Sequence, residues 1–256
     1  MTGSRRRRSL GLLTAGLLGA AAVTGCSSEI EGKASAASAE SSSGPSSSSA
    51  GESTGSLDDV EDLSAGLLPA DAFGAGARAT PMTAEEFEQQ AELGGGLGLG
   101  DVTVTPESCA PALGQVQPGL EDMVGLGAQT VMVGSAVIVE ILAEGPGFTD
   151  GVAQLAATVE TCPQATITAP QIGTATVVFT PLDVPELGDG SSALTMTLTL
   201  PGPDGQPLTV PLLLAMAADG ERLVSLTSTD PTGTSDPAAF VALVQQAFAH
   251  QAAELD

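Results

Sequence analysis

From Leu194 to Leu200 the chain alternates without a break: Leu194, Met196, Leu198 and Leu200 are apolar, and Thr195, Thr197 and Thr199 carry hydroxyls. A period of two places these sets on opposite faces of a strand and predicts a sheet with one buried and one wet face. Pro203-Asp204-Gly205 then turns the chain into a second apolar run, Leu208 to Ala217. Pro211 within that run has no N–H to give a ladder, so the expectation is an edge or a bulge there. Asp219-Gly220 is a strong hairpin signal into Leu223 to Thr227.

The rest of the pattern supplies more strands and several helices. Extended runs are expected at Gln129 to Val133 and Ala136 to Leu142, joined by Gly134-Ser135, and at Thr174 to Thr180. Val152, Leu155, Ala156 and Val159 share one face of a helix predicted over Asp150 to Glu160. Thr83-Ala84-Glu85-Glu86 is a capping box, which starts a helix at Ala84 that ends near Leu93, before the glycine run 94–100. Short helices are expected over Leu57 to Leu67 and after Thr105-Pro106, the latter cut short by Pro111. A last helix starts at Ser235 or Asp236, with Phe240, Val241, Val244, Phe248 and Leu255 as its apolar stripe. The fold class is α+β: a single domain over residues 57–256, with a twisted, mostly antiparallel sheet flanked by helices and one disulfide.

The N-terminus carries a different message. Arg5 to Arg8 precede an apolar run from Leu10 to Val23, which ends in Val23-Thr24-Gly25-Cys26. Basic residues, a short apolar stretch and small residues make a secretory signal. A Cys directly after the small residues resembles a bacterial lipoprotein signal, in which the thiol receives lipid before cleavage. The competing reading, a membrane anchor, needs roughly twenty apolar residues. Arg7-Arg8-Ser9-Leu10 also loosely fits a twin-arginine signal. Residues 1–25 are therefore read as the signal and Cys26 as the lipidation site, with palmitate among the expected acyl groups. The Ser-rich residues 26–56 then form a flexible tether, since such composition buries too little apolar surface to offset ordering entropy.

Charge and composition exclude several partners. Removing residues 1–25 takes four of seven basic residues and no acid, which leaves 3 − 31 = −28. Such a field repels phosphate backbones, so no nucleic-acid partner is expected. Trp and Tyr are absent, which disfavours stacked sugar sites. With Cys26 assigned to lipid, Cys109 and Cys162 are an even pair in an oxidising compartment and are expected to form a disulfide. Closing a loop of about 54 residues contributes roughly 4 kcal/mol through chain entropy. It would pin the short helix at Cys109 to the end of the helix before Cys162.

Several of these segments resemble actinobacterial exported lipoproteins related to the extracellular sensor domain of the PknH type of serine/threonine kinase. The resemblance rests on Leu67-Leu68-Pro69, on Pro106-Glu107-Ser108-Cys109-Ala110, on the helix before Thr161-Cys162-Pro163, and on the closing hairpin Gly220 to Thr227 with its terminal helix. It implies a twisted antiparallel sheet flanked by helices, around a cleft for a ligand, and no catalysis. Those kinase domains carry two disulfides, whereas this chain offers one pair beyond Cys26.

No residue set demands chemistry. His250 is the only histidine and sits at the edge of the terminal stripe. Gly51-Glu52-Ser53-Thr54-Gly55 matches a nucleophile elbow formally but lies in low-complexity sequence. Ser135 reads as a hairpin residue. Asp183, Glu186 and Asp189 fit no established calcium loop and read as a solvated turn. Glu140 alternates with Ile138 and Leu142 and is expected on the wet face; covered, it would carry a raised pKa. No catalytic residue, cofactor or metal is expected. The expected function is a non-enzymatic, sensor-like binding domain, exported and anchored by lipid to the outer face of the cytoplasmic membrane. Its partner would be a small hydrophobic ligand or an envelope protein. The alternative is a lipid or glycolipid carrier with an aliphatic cavity.

Overall fold

The computed structural model describes residues 60–92, 102–111, 123–169, 173–202 and 205–256. The residues read above as signal and tether, Cys26, the glycine run 94–100 and Pro203-Asp204 of the expected turn lie outside the described residues. Among the described residues there are ten strands: β1 (Glu61–Asp62), β2 (Arg78–Met82), β3 (Thr103–Thr105), β4 (Gly125–Val133), β5 (Ala136–Glu144), β6 (Gln164–Ala169), β7 (Gly173–Leu182), β8 (Gly190–Pro201), β9 (Pro207–Asp219) and β10 (Arg222–Thr229). Helices α1 (Ala84–Glu92), α2 (Phe148–Thr161) and α3 (Pro237–Leu255) accompany them. The strands form one open sheet in the order β1-β4-β5-β10-β9-β8-β7-β6-β3, with β2 also on β4. All pairs are antiparallel except β1 with β4, so the sheet is mixed.

Pro211 obeys the rule that forbids it two ladder partners. It lies opposite Thr197 of β8, one residue beyond Leu212, where the pairing with β10 stops. The capping box forms as its sequence predicts: Glu86 N donates to Thr83 Oγ1, and Thr83 N donates to the Glu86 carboxylate at 2.9 Å. Asp236 is the N-cap of α3 and accepts from Ala238 N, with Pro237 as the first helical residue.

At β4, β5, β10 and β9 both faces of the sheet are covered; at β6, β7 and β8 one face stays wet, as the alternation predicts, with Thr168, Thr174, Val178 and Thr180 exposed and Thr195, Thr197 and Thr199 half-buried on it. Directly opposed residues share a face, and the register divides the apolar side chains into two cores. One core joins Ile141, Leu214, Met216, Leu194 and Phe179 to Val152 and Leu155 of α2. The other joins Val131, Ile138, Leu142, Leu213 and Leu226 to Phe240, Leu243 and Val244 of α3. Its cover also includes the segment 63–73. The helix expected over Leu57 to Leu67 lies partly outside the described residues; from Val60 on the chain is not helical as expected but forms β1 and then two 3-10 turns, Ser64–Gly66 and Ala70–Phe73. Gly127 explains the close seating. A Cβ there would stand 2.8 Å from the Leu63 carbonyl carbon, so backbone lies directly on backbone.

Two further elements differ from the sequence reading. Thr105 ends strand β3, and Cys109 sits on a 3-10 turn, Glu107–Cys109, capped by Pro106. Strand β6 alternates buried Ala165, Ile167 and Ala169 with Gln164, Thr166 and Thr168, and with two alanines in its buried set it carries only a weak apolar signal. No helix among the described residues is long and apolar enough to cross a membrane.

Candidate functional site

A cleft of ≈ 290 Å³ opens on the α3 side of the sheet. Its floor follows from register. Ile138 of β5, Ser228 of β10 and Leu213 of β9 are direct neighbours across three strands. Phe240 and Leu243 line it from the first turns of α3, and Phe73 closes one side from its 3-10 turn. Ser235 and Asp236 stand where the chain enters α3. The lining is apolar apart from these two and Ser228, a composition typical of small-molecule sites with a few placed polar groups.

The loop that forms the mouth is held by one carboxylate. Asp230 is buried and accepts from the backbone N and the hydroxyl of both Thr232 and Thr234, and from Ser135 Oγ at 2.9 Å. Ser135 lies in the β4–β5 turn, whose flanking residues Val133 and Ala136 also line the cleft. One acid thus ties two walls together. The Thr234 and Thr232 hydroxyls stabilise its charge most and hold its pKa well below the usual carboxylate range.

Deeper under α3 lies a buried polar cluster. Glu140 is 2 % exposed and receives the Leu68 N–H on both carboxylate oxygens, at 3.3 and 3.2 Å. Gln129 Nε2 donates to Glu140 at 2.6 Å and to the Leu68 carbonyl at 2.8 Å. Burial raises the Glu140 pKa; the Gln129 and Leu68 hydrogen bonds and the electrostatic influence of His250 on α3 oppose that rise. Glu140 is therefore not the wet-face residue expected from alternation. The alternation itself holds, since Ile138 and Leu142 share its core, but the face is roofed. Gln251 extends the buried stripe of α3 at 1 % exposure, and neither of its amide atoms has a hydrogen-bond partner among the described residues.

The other sequence candidates fall as follows. Cys109 and Cys162 are joined by a disulfide that links the 3-10 turn at Cys109 to the end of α2, on the opposite side of the sheet from the cleft. His250 is half-buried near Glu140. Ser135 serves as the hairpin residue it was read as, and Asp183, Glu186 and Asp189 are exposed. No group of three metal-ligating side chains comes together among the described residues. Ser228, Gln129 and Asp230 escaped the sequence reading. A single serine among Leu226, Thr227 and Thr229 carries no periodic signal, and only register sets it between Ile138 and Leu213.

No protein-family model matches the chain, and no curated protein matches it. Two solved structures are similar to it. The extracellular domain of PknH from Mycobacterium tuberculosis is 16% identical, with a TM-score of 0.44, over 72% of this chain and 94% of that one. An ortholog of Rv0999 from Mycobacterium smegmatis is 13% identical, with a TM-score of 0.45, over 75% of this chain and 98% of that one. The first is the kind of extracellular domain that the sequence motifs resemble, and the resemblance concerns the fold alone.

Proposed function

We propose that this chain is an exported lipoprotein, acylated at Cys26 and held at the outer face of the cytoplasmic membrane. There it presents a non-enzymatic, sensor-like binding domain whose ligand enters the cleft beneath α3. The cleft is the observation that carries the binding reading. It is an apolar concavity with convergent polar groups, and its walls are fixed by the Asp230 network. The disulfide supports export, because such bonds persist in oxidising compartments. A lipid carrier calls for room for whole acyl chains, and ≈ 290 Å³ amounts to about ten water volumes at roughly 30 Å³ each.

The test is fractionation of cells that produce the full chain, with labelled palmitate in the medium. The wild type is expected labelled and in the membrane fraction, with Cys109 and Cys162 oxidised. Cys26→Ala is expected unlabelled. A wild-type chain found unlabelled in the cytoplasm, with free thiols, would reject the proposal.

A further inference from the structure

The geometry points to a ligand class for the cleft: a small uncharged amphiphile, with one hydroxyl or carbonyl oxygen that hydrogen-bonds Ser228 and an apolar body packed on Phe73, Phe240 and Leu243. This rests on the cleft reading above and specifies what the cleft takes.

Ser228 is the reason for the oxygen. It is 6 % exposed and lines the cleft, and its side chain makes no hydrogen bond to another of the described residues. That hydroxyl borders the open cleft, so a wholly apolar occupant would strip its water and leave it unpaired, whereas a ligand oxygen would satisfy it. Its neighbours on the floor, Ile138 and Leu213, offer nothing polar. A hydroxyl both donates and accepts, so it suits an alcohol or a carbonyl equally.

The size and charge of the site fix the rest. A volume of ≈ 290 Å³ sits at the small end of ligand pockets. Asp236 is the one charged side chain among the lining residues. It repels an anion, as does a chain of net charge −24. Its carboxylate already accepts the Ala238 N–H at 2.9 Å, at the end of α3 where the helix dipole is positive. That dipole offsets part of the attraction of the carboxylate for a cation. The apolar residues give neither kind of ion a substitute for its hydration.

The experiment uses the full chain carrying Cys26→Ser, which cannot be acylated, produced under oxidising conditions. Methyl NMR follows Ile138, Leu213 and Leu243 during titration with four probes of one shape: p-cresol, toluene, p-toluate and 4-methylbenzylamine. The expected result is saturable binding of p-cresol, about five-fold tighter than toluene, the size of one neutral hydrogen bond. Both charged probes should bind more weakly than toluene. Ser228→Ala should bring p-cresol down to the level of toluene and leave toluene unchanged. Ala239→Phe, which fills the cleft from an exposed position on α3, should abolish binding of both.

Toluene binding as tightly as p-cresol, or p-cresol indifferent to Ser228→Ala, would overturn the oxygen anchor. A charged probe binding best would overturn the uncharged class. Either result leaves the cleft standing as a binding site. If none of the four probes moves these methyls up to its solubility limit, both the ligand class and the cleft reading fall.

Discussion

Glu140 and Gln129 stand directly opposite each other on β5 and β4, and between them they hold both backbone polar groups of Leu68. The Leu68 N–H would otherwise be buried with no strand beside it, because the chain there has left β1 and not yet reached β2. A carboxylate and a carboxamide thus replace a missing ladder partner. The arrangement secures the segment that continues to Phe73, one side of the cleft. Its cost is a carboxyl group placed among Ile138, Leu142 and Leu226.

That cost has a pH dependence of defined sign. The folded pKa of Glu140 lies above its ordinary value of 4.5, chiefly through burial. The folded protein therefore holds this proton more tightly than the unfolded chain. The stability it contributes is complete below about pH 4.5 and is lost as pH rises through the folded pKa. Glu140→Gln copies the shape of the protonated acid without the titration. Thermal unfolding of the variant should match the wild type at pH 4 and exceed it by several degrees at pH 7. Parallel melting profiles across that range would contradict this.

Asp230 titrates with the opposite sign. Hydrogen bonds from the Thr234 and Thr232 hydroxyls, above all, set its folded pKa below the ordinary 3.8. Its contribution is present above pH 3.8 and is lost as pH falls through the lower folded value. Asp230→Ala should lower the melting temperature at pH 7 by several degrees, and the deficit should narrow in strong acid. Hydrogen exchange should speed up at residues 230–236 and at the 134–135 turn together, because one carboxylate anchors both. A variant that loosens only one of the two segments would refute that coupling.

Two glycine substitutions should act in opposite directions. An alanine Cβ at Gly127 would meet the Leu63 carbonyl carbon at 2.8 Å and its oxygen at 2.9 Å, and backbone cannot step aside cheaply. Gly127→Ala should cost about 1–3 kcal/mol, as overpacking does. Gly151 lies in the first turns of α2, exposed, with nothing within 4 Å of such a Cβ. Gly151→Ala should stabilise by about 0.5–1 kcal/mol through helix propensity. Denaturant midpoints of the two variants provide the check, and a stable Gly127→Ala would show that segment 63–66 is not seated as described.

Local sequence determined the elements that announce themselves within a few residues. The capping box at Thr83, the Asp219-Gly220 turn, the alternation from Leu194 to Leu200 and the start of α3 at Asp236-Pro237 each depend on backbone geometry that neighbouring side chains control. The pairing of Cys109 with Cys162 was legible because two thiols leave one choice once Cys26 is set aside. The candidate site was not legible in this way. Alternation placed Glu140 on a face, but whether that face meets water depends on α3, about a hundred residues further on. Ser228 gained its role only when β5, β10 and β9 aligned Ile138, Ser228 and Leu213. Asp230 read as one acid among thirty-one until folding brought Ser135, Thr232 and Thr234 to it. Periodicity reports which side a residue faces. What lies on that side is set by contacts between distant segments, and burial, charge and cleft shape are properties of those contacts.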